Sequence, residues 1–115
     1  MAGLAFVVAE ALEAGEWQAE ARFLVRNARS LEYLLVKAGL DARGHPPDVS
    51  ATVQTDLLFE EHAVSDPTFV TYSELARLSV PASVDDWPRL AAWDGFLRGL
   101  EQSGRSARLV IWFVW

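Results

Sequence analysis

Four residues near the middle of the chain, Glu60, Glu61, His62 and Asp66, carry side chains that metal binding or acid–base chemistry would need. A carboxylate and an imidazole can exchange a proton or share a divalent cation. On a strand, consecutive side chains point to opposite faces, so Glu60 and His62 share a side and Glu61 does not. No His-x-x-x-His or His-Glu-x-x-His spacing accompanies them. The group therefore reads first as a solvated loop cluster, and a small enzyme using Glu60, His62 and Asp66 is the weakest of three functional expectations. The other histidine, His45, precedes Pro46 and Pro47 and reads as a surface loop residue.

Other chemistry finds less support. The serines lack a Gly-x-Ser-x-Gly elbow, and the glycines are scattered rather than grouped into a phosphate-binding loop. No catalytic residue, metal or cofactor is expected. Asp85 and Asp86 could act as paired carboxylates, but at a helix start they serve better as caps, where the dipole favours negative charge. If residues 16–38 form one helix, Arg22, Arg26, Arg29 and Lys37 lie near one side with Tyr33 between them. That basic ridge reads as a solvated face with a secondary capacity for phosphate or an acidic partner. Trp17, Trp87, Trp93, Trp112 and Trp115 make the chain tryptophan-rich. Trp93 and Trp112 fall on faces expected to be buried, while Trp87 and Trp115 stand at element ends and are the expected exposed pair.

These residues must be positioned by a single domain of 115 residues. Ten basic and sixteen acidic residues give a net charge of −6, which disfavours a general grip on nucleic acid and favours a basic partner or plain solvation. The apolar fraction of 51% leaves a second copy or another protein as one way to cover the excess. Without cysteine there is no disulfide framework or thiolate chemistry. The N-terminal residues lack a basic region, so a cytoplasmic protein without a membrane anchor is expected.

The elements are organised around the run Leu109 to Trp115, which contains no polar side chain. As a strand it spans about 23 Å and as a helix about 10 Å, so neither crosses a bilayer core of about 30 Å. Apolar on both faces and rich in β-branched and aromatic residues, it is expected to be a central strand. Leu4 to Ala14 tips towards a helix ended by Gly15, although Phe6, Val7 and Val8 also suit a strand. Trp17, Ala21, Leu24, Ala28, Leu31, Leu35 and Ala38 recur at helical spacing, which predicts one helix ending at Gly39. A rival pattern alternates through Trp17, Ala19, Ala21, Phe23 and Val25. It makes Glu16 to Asn27 the second arm of a hairpin, with Ser30 capping a shorter helix.

Asp41 to Asp48 is a loop around its prolines, and alternation from Ala51 to Glu60 predicts a half-exposed strand. Glu61 to Pro67 is a turn or loop. Phe69 to Leu78 is a short helix capped by Thr71 or Ser73, or a strand running into one. The last helix has Asp86 as N-cap and Leu90, Trp93, Leu97 and Leu100 as its buried stripe, and it ends at Ser103 and Gly104. Ala91, Gly95 and Gly99 form a track suited to close approach of a neighbouring element. The result is a small two-layer α+β domain, helices on a few-stranded sheet with the C-terminal strand central.

Within Tyr72 to Trp115, a short helix starting Ser73-Glu74-Leu75, a proline, a helix with the pair Trp93-Asp94 and an apolar strand resemble the barstar-like inhibitors of secreted ribonucleases. The resemblance covers less than half of the chain. It implies that Asp94, with Asp85, Asp86 and Glu101, presents negative charge to a basic enzyme, and Trp87 stands beside this group. The leading expectation is a non-enzymatic interaction protein, an acidic inhibitor or immunity-type protein that masks a basic partner. The second is a structural subunit or adaptor whose tail strand pairs with another chain or with its own copy.

Overall fold

The first arm of the chain settles the competition between helix and strand. Leu4–Glu13 is strand β1 and Glu16–Val25 is strand β2, joined by a two-residue turn at Ala14 and Gly15 with φ of 52° and 82°. Positive φ at both central residues matches the twist of a tight hairpin, and glycine adopts it without steric cost. The helix expected over Leu4 to Ala14 is therefore corrected. The single helix over residues 16–38 is corrected too, because only Ala28–Ala38 is helical, as α1. Its N-cap is Asn27 rather than Ser30, and Gly39 closes it at φ 71° as its position suggests. Alanine and glutamate are poor strand formers, but burial overrides propensity here: Ala5, Ala9 and Ala11 are fully buried in β1.

The computed structural model describes residues 3–59, 63–78 and 88–115. After the loop over residues 41–48, Ala51–Phe59 forms helix α2 where a strand was expected. Ser50 decides it, accepting the Val53 N–H at 3.3 Å as an N-cap does. Val53 and Leu57, one turn apart, then face the sheet. Ser65–Thr71 is strand β3, and it runs directly into the short helix α3, Tyr72–Ala76. Thr71 and Glu74 form a reciprocal capping box between the two. Pro88–Gln102 is helix α4, with Leu90, Trp93, Leu97 and Leu100 buried as the spacing predicts. Its expected N-cap, Asp86, lies outside the described residues, as do Glu60, Glu61, His62, Asp85 and Trp87.

Ala107–Val114 is strand β4, and it lies inside an antiparallel sheet ordered β2-β1-β4-β3. The α+β class and the interior C-terminal strand are borne out. Ala107, Leu109, Ile111 and Phe113 enter the larger core with α1, α3 and α4, while Val110 and Trp112 pack on the other face with Val49 and Val53. Water is thus kept from both faces, and both edges of β4 are hydrogen-bonded, so the tail has no free edge for another chain. The close-approach track is also corrected. A methyl at Gly95 or Gly99 would meet nothing within 4 Å, because the large residues of α4 take the sheet-facing side and leave the glycines on the other. Trp115 is half-buried, stacked on Phe113 with ring centres 5.3 Å apart, and so differs from the exposed residue expected.

Cavity formation tests the interior strand. Ile111→Ala should cost about 2–5 kcal/mol in urea unfolding, whereas Leu58→Ala, at a position 73% exposed, should stay within about 0.5 kcal/mol. A comparably small loss at Ile111 would contradict an interior β4.

Candidate functional site

Strand register places Ala19, Glu10, Arg108 and Thr71 in one row across β2, β1, β4 and β3, on the face that carries α2. Two charges therefore meet in the middle of a sheet. Glu10 has no solvent exposure, and its Oε1 accepts from Arg108 Nε at 2.8 Å while its Oε2 accepts the Ser50 N–H at 2.7 Å. Arg108 Nη1 donates to Asp48 Oδ1 at 3.1 Å, and Nη2 to the Asp48 carbonyl at 3.4 Å. The Trp17 ring stacks on the guanidinium, its centroid 3.8 Å from Cζ, and Trp17 Nε1 donates to Asp48 Oδ2 at 3.1 Å. A planar fork of donors suits this work, because it serves two carboxylates while stacking on an aromatic face.

Burial alone would raise the Asp48 pKa, but the hydrogen bond and charge of Arg108, with the Trp17 N–H, hold it below the usual aspartate range. Beside this network opens a cleft of about 360 Å³, bordered by Trp17, Tyr72, Ser73, Glu101, Ser106 and Arg108 among others. Two of its hydroxyls belong to the α3 cap: Thr71 Oγ1 lies 3.2 Å from Ser73 Oγ and accepts the Glu74 N–H. Arg108 joins β4 to β1 through Glu10 and to the loop before α2 through Asp48, so the centre holds these elements together. Its signal in the sequence is a lone charge inside each of two apolar runs, Glu10 in β1 and Arg108 before the tail, and each such charge requires a buried partner.

Of the described residues singled out as site candidates from sequence, Glu101 borders this cleft and the others lie elsewhere. Asp66 sits in β3 at φ 48° and accepts from Ser65 Oγ at 3.2 Å, away from any three-residue ligand set among the described residues. Asp94 pairs with Arg98, and its Oδ1 is buried without a hydrogen-bond partner among the described residues. Glu101 accepts the Ala107 N–H at 2.6 Å and so ties the end of α4 to the start of β4.

The basic ridge does not form, because the helix that would align it stops being a helix. Arg22 belongs to β2 and pairs with Asp56 of α2, and Arg26 lies in the link to α1. Arg29 pairs with Glu32 and lies 4.1 Å from the centre of the Trp115 ring, while Lys37 stands over Tyr33. His45 is part-buried, with Nδ1 3.3 Å from the Pro46 carbonyl.

Among the described residues, six arginines are bound into pairs, with Asp56, Glu32, Glu74, Asp94, Glu13, Glu20, Glu10 and Asp48. Glu16, Asp41, Asp66 and Glu101 have no cationic partner among the described residues. At the end of α2, Leu58 and Phe59 are 73% and 84% exposed, immediately before Glu60 and Glu61 in the chain. Among the described residues, no helix is long and apolar enough to cross a membrane.

Arg108→Met should cost about 3–5 kcal/mol, since it strands a buried carboxylate. Adding Glu10→Met should recover most of that loss, and an additive double mutant would contradict the coupling. A second test concerns Glu74. Burial by itself raises its pKa, but Arg43 and the Thr71 N–H and hydroxyl outweigh that and hold it below the ordinary glutamate range. A folded value below the unfolded one contributes stability that is complete above the ordinary range and lost as pH falls through the lowered value. Glu74→Gln should therefore flatten the acid limb of a stability-against-pH curve measured by urea unfolding. Comparison with protein families, with curated proteins and with solved structures finds no match to this chain.

Proposed function

We propose that this domain is a non-enzymatic protein-binding module, an acidic inhibitor or immunity-type protein that covers a cationic partner in the cytoplasm. The observation that carries this reading is the end of α2, where two large apolar side chains project into solvent just ahead of two glutamates. Large apolar side chains left in solvent are the kind of anchor found at the centre of an interface.

The distribution of charge supports the same reading. Most of the described arginines are spent on internal pairs, so the net charge of −6 is expressed outward as unpaired carboxylates. Such a surface attracts a basic protein over distances set by ionic strength and repels acidic competitors. Asp85, Asp86 and Trp87 lie outside the described residues, and Asp94 and Glu101 are engaged by Arg98 and the Ala107 N–H.

Capture from source-cell lysate at low and high salt tests the proposal, with Phe59→Ser run in parallel. A basic protein held at low salt, released by high salt and lost with Phe59→Ser is the expected result. Absence of a partner at either salt, or capture indifferent to Phe59→Ser, would overturn it.

A further inference from the structure

Most basic side chains of this protein are already engaged. Six arginines are paired with carboxylates, and Arg89 Nη1 donates to the Leu24 carbonyl at 3.2 Å. Arg26, Lys37 and Arg77 have no carboxylate partner among the described residues, and two of these three, Lys37 and Arg77, stand on one groove of about 580 Å³ between α1 and α3. Lys37 comes from the last turn of α1, and Arg77 is the residue that closes α3. Neither side chain is consumed as a helix cap. The Leu35 and Val36 carbonyls take the Leu40 and Gly39 N–H groups, and the Glu74 and Leu75 carbonyls take the backbone N–H groups of Arg77 and Leu78. The Lys37 ammonium lies 5.4 Å from the centre of the Tyr33 ring, a contact that does not use all three of its donors. The one carboxylate among the described lining residues, Glu74, is answered by Arg43 at 2.9 Å and by the Thr71 N–H at 3.0 Å. Two positive charges on this groove are thus left uncompensated, in a chain of net charge −6.

The rest of the lining is aliphatic. Leu34 is buried in the larger core, Leu40 and Leu78 are half-buried against that core, and both cations are exposed, so the charges stand at the surface and the leucines lie deeper. No aromatic ring lines the groove among the described residues, which leaves no face on which a nucleobase would stack. The volume falls within the range of about 300–1,000 Å³ usual for small-molecule sites, and an apolar lining with a few polar groups is their ordinary make-up. Such a surface fits a ligand of two parts, an anionic head and an alkyl body. A compact anion leaves the leucines uncovered, and a neutral hydrocarbon leaves the cations unmet. An acidic protein offers anions little attraction at long range, so the head must be recognised by contact, which the forked donors of Arg77 can provide.

We propose that this groove binds a single-chain alkyl anion, its head held by Lys37 and Arg77 and its hydrocarbon lying on Leu34, Leu40 and Leu78. The groove is on the opposite face of the sheet from α2, so partner capture and ligand binding stand or fall independently. Calorimetric titration of the wild-type chain with monomeric decanoate should show one molecule bound per chain. Acetate and decyltrimethylammonium should bind about tenfold more weakly or worse, and affinity should fall about fourfold for each methylene removed from the acid. Arg77→Gln and Lys37→Gln should each weaken decanoate about tenfold, while Arg26→Gln, off the groove, and Phe59→Ser should leave it unchanged. Both groove cations are exposed, so these variants keep the fold, which far-ultraviolet circular dichroism checks. Four results would overturn the proposal: no decanoate bound, decyltrimethylammonium bound equally well, an affinity indifferent to both Arg77→Gln and Lys37→Gln, or attachment to phosphatidylglycerol vesicles without binding of free decanoate.

Discussion

A carboxylate sealed from water must be answered by donors, and Glu10 is so sealed. The answer comes from three distant parts of the chain: the guanidinium of Arg108 from the last strand, the N–H of Ser50 from the start of α2, and through Arg108 the loop at Asp48. Shifting β4 by one residue against β1 would place Leu109 where Arg108 now stands and leave Glu10 without a cation. The pair thus penalises misaligned registers even if its net contribution to stability is small, since desolvation offsets much of the attraction. It also settles where α2 begins, because Ser50 gives its N–H to Glu10 while its hydroxyl oxygen accepts the Val53 N–H in the first turn of the helix.

Arginine acts elsewhere as a brace between elements. Arg43 meets the Phe69 carbonyl, the Phe69 ring and Glu74, and so clamps the loop, the β3 edge and the α3 cap with one side chain. Arg105 joins Glu13 and Glu20 of the hairpin to the turn before β4, and Arg22 joins β2 to α2. Exposed ion pairs contribute little singly, about 1 kcal/mol or less, but each of these spans separate elements and orients them. The same habit engages most of the arginines and leaves Glu16, Asp41, Asp66 and Glu101 without a cationic partner among the described residues.

Where a single physical demand dominated, the sequence was legible. The tail could hide both faces only inside a sheet, and the leucine and tryptophan stripe of α4 had only one side to bury. Where two periodicities coexisted, the local pattern misled. Residues 16–38 satisfy helical spacing throughout, yet Ala14-Gly15 folds them back as a hairpin because the turn and the buried face of β1 outweigh propensity. Ala51 to Phe59 alternates like a strand, but the Ser50 cap and its anchor on Glu10 make it a helix. The charged centre was missed for a related reason. Glu10 and Arg108 are 98 positions apart and meet only through strand register, while the conspicuous histidine and carboxylate clusters are local in the chain.

The placement of β4 bears on how the domain is made. Both of its neighbours, β1 and β3, are synthesised before it, and until it arrives they have a gap between them instead of a shared partner. A ribosome emitting this chain therefore releases a hairpin, loose helices and an unpaired β3, all waiting for the piece that goes in the middle. Final closure must follow emergence of that strand, and until then the unfilled slot exposes apolar surface that a chaperone can shield.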